Sequence, residues 1–439
     1  MNEGFGHELR RLRTRLGVSL KSLSEMTHYS KGYLSRVETG ARAATPELAG
    51  RCDDVLGADG SLLKYLTAAE SRFGSPGISR PAQLPVVAAD FVGRQDAIRR
   101  LDGMLPTRGT TVCAIDGMAG VGKTALAVHW AQRVRERFPD GFLFAELAGP
   151  GPGQGTRPSA GEVLAGFLRA LRPGVVIPAT VAERASLFRT LVDGRRMLIV
   201  LDDAGSVEQV APLLPASPGC MVLLTSRIRM TALTSARLLS LETMSRPEAV
   251  RLVASTIGEH RTAAEPQATR ELTQVCELLP LALRVAAGRL AARPSWLISS
   301  LVERLREGEE GMSMLRLGGG TVASAFRPSY DRLNGRAARA FRLIAPLDAA
   351  LTSVSTAADL LGSSHAHTED VLEELVDASL LNTPVPGLYS CHPLLRSFAR
   401  DLVRQGGDGS LDPFTGENES LEAFAGERHE PAPVQAPPH

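Results

Sequence analysis

A multidomain chain, with one α/β unit on a parallel sheet and helical units before and after it, is the fold class this sequence predicts. Three observations carry the prediction. Between residues 91 and 241 five short apolar runs, TVCAID, GFLFAEL, RMLIVLDD, CMVLLTSR and RLLSLE, alternate with helical stretches. Runs nearly continuous in Val, Ile and Leu suit strands buried on both faces of a parallel sheet. A glycine-rich loop, GMAGVGKT, stands between the first run and the helical segment ALAVHWAQRV. Outside this unit, residues 4–69 read as short helices with polar turns, and residues 245–310 as helices rich in Ala, Leu and Arg.

Taken in order, residues 1–69 form the first domain. Residues 70–90 are rich in Pro, Gly and Ser and read as a linker. The α/β domain covers 91–241 and a helical domain 242–318. Residues 319–405 read as helices plus a small hairpin from LLNTP and GLYSCHP. The tail, 406–439, carries seven acidic residues against Arg428 alone and ends in PAPVQAPPH, which predicts disorder. No repeat with a period of 20–50 residues is present. The net charge of +1 over 439 residues excludes a global attraction to nucleic acid or anionic membrane, so any such binding needs a local patch. The five cysteines show no CxxC pair, which predicts reduced, mostly buried thiols. With no signal peptide and no long apolar run, a cytoplasmic protein without a membrane partner is expected.

The chain has four lysines against 45 arginines, and one of the four is Lys123 in the glycine loop. Residues Gly117–Thr124 match G-x-x-x-x-G-K-[ST], a phosphate-binding loop, in the strand–loop–helix context that motif needs. Gly117, Gly120 and Gly122 let backbone N–H groups turn inward on phosphates, and Ala125 lies at the helix start, where the N-terminus adds partial positive charge. Lys123 places a compact ammonium between phosphates where a planar guanidinium fits badly. Asp202 and Asp203 end the third apolar run, at the sheet edge where ligands bind. Thr124 and Asp202 are the expected Mg²⁺ residues, with Asp203 polarising the attacking water. Arg227, ending VLLTSR, is placed to sense a γ-phosphate.

Residues 91–402 resemble the NB-ARC module of STAND ATPases, the relatives of apoptotic and plant immune switches found among bacterial regulators. FVGRQDAIRRL is similar to the family's opening motif, which implies that Val92 and Arg94 lie near the adenine. LLTSR is similar to its sensor, and LLPLAL at 278–283 to its GLPL element, which implies that Pro280 packs on the nucleotide. SYDRL and YSCHPLLRSFARDL resemble its winged-helix part. The family's nucleotide-contacting histidine falls on His392, implying a contact to the β-phosphate of ADP in a closed state. Three positions depart from the family: Gln95 for Glu, Leu278 for Gly, and Pro393 for Asp. The last removes a backbone donor and an acid, which implies a weaker ADP lock.

Residues 5–60 resemble Cro/repressor-type (XRE) helix-turn-helix domains. On that pattern Leu20, Leu23, Leu34 and Val37 face inward. Lys31, Gly32, Tyr33, Ser35 and Arg36 face outward toward the major groove of double-stranded DNA. Leu20 stands in place of a frequent Gln that touches the DNA backbone, and His28 in place of the turn Gly. Histidine tolerates positive φ.

The expected function is an intracellular transcriptional regulator. Its ATP/ADP state, with Mg²⁺, controls DNA binding or self-association of the first domain, the ATP state favouring association. Any ATPase activity would be slow and reset the switch. No repeat array follows the module in this sequence, so the sensor is expected either on a separate partner protein or on a longer form of which this chain is a short version. The alternatives are an ATPase that remodels DNA or protein complexes, and an interaction scaffold stabilised by nucleotide.

Overall fold

The computed structural model describes residues 5–39, 44–58, 60–62, 79–87, 90–106, 109–148, 157–307, 316–317 and 320–405. The expected disordered tail and residues 70–78 of the expected linker lie outside the described residues.

Among the described residues the first unit contains the helices α1 (Phe5–Arg15), α2 (Leu20–Thr27), α3 (Lys31–Glu38) and α4 (Pro46–Leu56). Ser19, Ser30 and Thr45 cap α2, α3 and α4, each side chain accepting a backbone N–H that the helix itself cannot satisfy. The turn from α2 to α3 passes through His28 at φ +59, in the left-handed region. Leu9, Leu23, Leu34, Val37, Leu48 and Cys52 close one apolar core, with Leu20 half-buried against it. Arg13 donates to both oxygens of Glu38, at 2.6 and 3.0 Å, and so braces α1 against α3.

The α/β unit begins with α5 (Gln95–Asp102), β1 (Thr111–Asp116), α6 (Lys123–Arg133), β2 (Phe142–Glu146), α7 (Ala160–Leu171) and α8 (Val181–Val192). It continues with β3 (Leu198–Ala204), the short α9 (Val207–Val210), β4 (Met221–Ser226) and β5 (Ala236–Ser240). The five strands lie parallel in the order β2-β3-β4-β1-β5. Period-two alternation sends Cys113, Ile115, Leu198, Val200, Met221 and Leu223 to one face. Val112, Ala114, Ile199, Leu201, Val222 and Leu224 go to the other. Both faces are buried, which is why the runs read as continuously apolar.

Among the described residues there follow α10 (Arg246–Ile257), α11 (Glu259–Ala264), α12 (Pro266–Val275), α13 (Pro280–Ala291) and α14 (Ile298–Glu307). A two-residue pair, β6 (Arg316–Leu317) and β7 (Gly320–Thr321), leads to α15 (Val322–Tyr330) and α16 (Gly335–Ile344). The chain then runs through β8 (Thr352–Ser353), α17 (Val354–Leu361), α18 (His365–Asp377), β9 (Asn382–Val385), β10 (Leu388–Ser390) and α19 (Pro393–Gln405). β9 and β10 are the expected hairpin, and β8 pairs antiparallel on its other side. The first face of the parallel sheet shares one continuous apolar core with α10, α13, α15, α16 and α19, through Leu252, Leu283, Phe326, Phe341 and Phe398.

The second half of the expected linker is part of the fold. Ala82 bridges in parallel to Phe142, Phe142 donates its N–H to the Pro81 carbonyl at 2.7 Å, and Gln83 accepts from the Phe144 N–H at 3.3 Å. Prolines and glycines indicate that a segment builds no helix of its own; they do not prevent it from lining a sheet edge. Gly141 permits this approach: its φ is +114, and an added Cβ would lie 2.5 Å from the Pro81 oxygen. Gly141→Ala should therefore destabilise the protein by more than about 2 kcal/mol. Gly166→Ala, where an added Cβ meets nothing within 4 Å on α7, should stabilise it by about 0.5–1 kcal/mol. Urea unfolding of the two variants beside wild type checks both signs.

Candidate functional site

At the carboxyl edge of the sheet a cavity of about 430 Å³ opens between the loop after β1, the ends of β3 and β4, and the start of α13. Val92, Arg94, Gly120, Gly122, Lys123, Thr124, Ala125, Asp202, Asp203, Arg227 and Pro280 all line it. The strands thus bring together residues spread over nearly 190 positions of sequence.

Lys123 is buried, and its Nζ donates to the Gly117 and Met118 carbonyls at 2.6 and 3.1 Å. Burial, with Arg227 nearby, pushes the ammonium down to about 8, while Asp203, Asp202 and Asp116 act the other way. Thr124 Oγ1 donates to Asp202 Oδ1 at 2.7 Å, and Thr225 Oγ1 donates to the same oxygen at 2.6 Å. Burial raises the Asp202 pKa in spite of these two bonds. The Asp203 backbone lies at φ +53, its N–H donates to Thr225 Oγ1 at 2.9 Å, and its two carboxylate oxygens accept from Arg227 Nε at 2.9 and 3.0 Å. The Arg227 Nη1 crosses to the Ala325 carbonyl of α15 at 2.8 Å.

Arg94 acts through its own fork. Its guanidinium donates to the Glu242, Thr243 and Val121 carbonyls at 2.7, 3.2 and 2.7 Å, and its backbone N–H donates to Glu248. It therefore ties the opening segment to the glycine loop and to the chain after β5. Three further polar lining residues were not singled out from the sequence: Glu146, Thr225 and Arg284. Glu146 ends β2, so its position at a strand's carboxyl end was the available signal. Arg284 lies one turn after Pro280 and pairs with Asp90 at 2.7 Å, a partnership of distant residues that no local pattern announces.

Comparison with known proteins agrees with this geometry. Residues 94–261 match the NB-ARC domain family, and residues 5–66 match a helix-turn-helix domain family. The chain carries an NB-ARC domain behind a helix-turn-helix domain. The regulatory protein AfsR of Streptomyces coelicolor is 43% identical over 331 residues, covering 73% of this chain and 33% of its own length. AfsR of Streptomyces griseus is 42% identical over 359 residues, covering 81% and 36%. The chain thus spans about a third of the length of these curated relatives. In fold, a Walker-type ATPase of Pyrococcus abyssi is similar at a TM-score of 0.51 and 14% identity, covering 73% of this chain and 98% of that one.

Two expected residues of the NB-ARC site do not line the cavity. Gly117 instead meets the chain beyond β5: its φ is +137, and an added Cβ would lie 2.5 Å from the Leu241 carbonyl oxygen. His392 has both ring nitrogens committed to backbone. Its Nδ1 accepts from the Leu394 N–H at 3.2 Å, which leaves Nε2 to donate to the Glu277 carbonyl at 3.2 Å. Burial holds this imidazole neutral, pushing its pKa down to about 4. In this structure the ring faces the turn before α13 and not the cavity. That turn carries two successive left-handed residues, Glu277 at φ +50 and Leu278 at φ +56, and the latter is the position the family fills with Gly. Pro393 opens α19, where a backbone N–H has no partner within the helix, so the expected loss of a donor costs nothing.

On the helix-turn-helix domain, Lys31, Gly32, Ser35 and Arg36 are exposed along α3. Tyr33 is half-buried and stacks on Tyr29, ring centroids 5.3 Å apart.

Lys123 gives a pH test of the cavity. Its amine releases a proton near pH 8 in the folded chain and near the ordinary lysine value, 10.5, in the unfolded chain. Between these values the unfolded chain binds more protons, so stability rises with pH across that window. Wild type should gain up to about 3 kcal/mol relative to Lys123→Met between pH 8 and 10.5. Paired denaturant titrations at the two ends of the window measure it.

Proposed function

We propose that this protein is a cytoplasmic transcriptional regulator. The ATP- or ADP-bound state of its NB-ARC domain controls DNA binding or self-association of the helix-turn-helix domain. The observation that carries the reading is the double engagement of Arg227. It lines the nucleotide cavity, where it holds Asp203, and it reaches out of that cavity to α15 of the C-terminal helices.

The backbone N–H groups of Lys123, Thr124 and Ala125 open α6 and have no acceptor within it, so they suit phosphate oxygens. Lys123 would leave the Gly117 and Met118 carbonyls to meet the phosphates. The Thr124–Asp202 pair fits Mg²⁺, because it presents a hydroxyl and a carboxylate together at the cavity wall, the hard oxygen donors that this ion takes. Mg²⁺ there supplies neutralisation of phosphate charge. Asp203 suits the orientation of an attacking water, yet its carboxylate is occupied by Arg227, so hydrolysis would be slow until Arg227 moves. A γ-phosphate competes with Asp203 for that guanidinium. Once Arg227 turns to it, the Ala325 contact is lost and the C-terminal helices are freer to undock. His392 supports the closed arrangement through the Glu277 carbonyl, not through the nucleotide. Undocked chains could then associate and bring several DNA-binding heads together at high effective concentration. A sensor, on a separate protein or on a longer form of this chain, is expected to bias the two states.

Size-exclusion chromatography with light scattering, in ADP and then in ATP analogue with Mg²⁺, should show larger species only with the analogue. Lys123→Ala should abolish that change, along with the rise in Tm that nucleotide gives the wild type. Arg36→Ala and Lys31→Ala should each weaken DNA binding and lower its salt slope by about one charge. An unchanged oligomeric state and DNA affinity in both nucleotides would leave a scaffold. Continuous steady-state turnover would instead mark a remodelling ATPase.

A further inference from the structure

We infer that the seam between the parallel sheet and the C-terminal helices holds a binding site for a small free oxyanion of the phosphate class, built around Arg332. A cavity of about 230 Å³ lies in this seam, and Arg227 is the residue it shares with the nucleotide cavity. Three arginines line it, Arg227, Arg229 and Arg332, against two carboxylates, Glu374 and Asp377.

All three guanidinium nitrogens of Arg332 are buried, and none has a hydrogen-bond partner among the described residues. Guanidinium stays charged at any physiological pH. A buried charge without an acceptor is strongly unfavourable, and native proteins pair such groups. Of the other charged groups on the wall, Glu374 and Arg227 are already engaged. Glu374 accepts from Asn334 Nδ2 on both oxygens, at 2.9 and 2.8 Å. Asp377 is pushed toward its neutral form by burial; Arg229 opposes this, and Glu373 and Asp116 add to it. Arg227 is held by Asp203 and the Ala325 carbonyl. The missing component is an acceptor that presents several oxygens to a planar donor fork, and a tetrahedral oxyanion does that.

The position gives the site a role. Arg227 and Arg229 follow β4, Arg332 follows α15, and Glu374 and Asp377 end α18. The Arg229 N–H already crosses the seam to the Asp377 carbonyl at 3.0 Å. An anion here would fasten the C-terminal helices to the sheet. Since Arg227 lines both cavities, anion and nucleotide would influence each other's affinity reciprocally; this coupling, but not the site itself, rests on the proposed nucleotide function.

The test uses inorganic phosphate on the full chain, by equilibrium dialysis and by Tm. Lys123→Ala serves as the background, because it disables the phosphate loop. Phosphate should still bind to this variant and raise its Tm. Adding Arg332→Gln should weaken phosphate binding by at least about tenfold, the loss expected for a charge-assisted hydrogen bond. Arg229→Gln should act in the same direction from the opposite wall. Without phosphate, Arg332→Gln should match or exceed the Tm of its parent, since it removes an unpaired buried charge. If Lys123→Ala abolishes phosphate binding, or Arg332→Gln and Arg229→Gln leave it unchanged, the site does not exist. An Arg332→Gln variant whose Tm falls equally with and without phosphate would show that Arg332 pairs with Glu374 or Asp377, and would also overturn the proposal. Neither outcome depends on whether ADP or ATP binds.

Discussion

Arg227 donates through Nε to both oxygens of Asp203 and through Nη1 to the Ala325 carbonyl, so the residue that follows β4 fixes the ends of three separate segments at once. Only a planar, five-donor group can serve a carboxylate and a carbonyl in different directions without moving. Asp203 is presented to it by a left-handed backbone, φ +53, and by the bond from its N–H to Thr225. Thr225 in turn donates to Asp202, which accepts from Thr124 at the start of α6. The chain of contacts therefore runs without a gap from the phosphate loop, through the ends of β3 and β4, to α15. A change at one end alters the acceptors available at the other.

The two faces of the sheet are unequal partners in this arrangement. One face is closed by α7 and α8, through Leu164, Phe167, Leu168, Phe188 and Leu191. These helices follow the strands closely in sequence and give the sheet a fixed backing. The other face continues into α10, α13, α15, α16 and α19. Its polar seam contains the contacts of Arg227, the Arg229 N–H and the unpaired guanidinium of Arg332. The seam thus combines the continuous apolar core with polar contacts that have alternative partners.

Much of this was legible in the sequence, for local reasons. The five strands follow from continuous apolar runs, because burial on both faces leaves no polar alternation to confuse with a helix. The phosphate loop is written in a spacing of glycines that a backbone geometry requires, and the turn at His28 is local as well. What was not legible depends on distant contacts. Residues 79–87 look like a linker until Phe142 supplies the sheet edge. Arg284 becomes part of the cavity wall beside Asp90, 194 positions earlier. His392 aligns with a nucleotide contact by its neighbours, yet its burial and its two backbone bonds arise from where α19 packs.

The turn at Glu277 and Leu278 carries a mechanical consequence. Two successive side-chain-bearing residues held at positive φ store energy, of order 1–3 kcal/mol each. The Glu277 carbonyl aimed at His392 belongs to that same turn. Docking of α19 therefore helps keep a small spring wound, and Gly at position 278 would relieve part of it. Undocking would let the spring recoil, and the recoil would favour departure over return. A chain with Leu278 should thus close against a load that a Gly there would lighten.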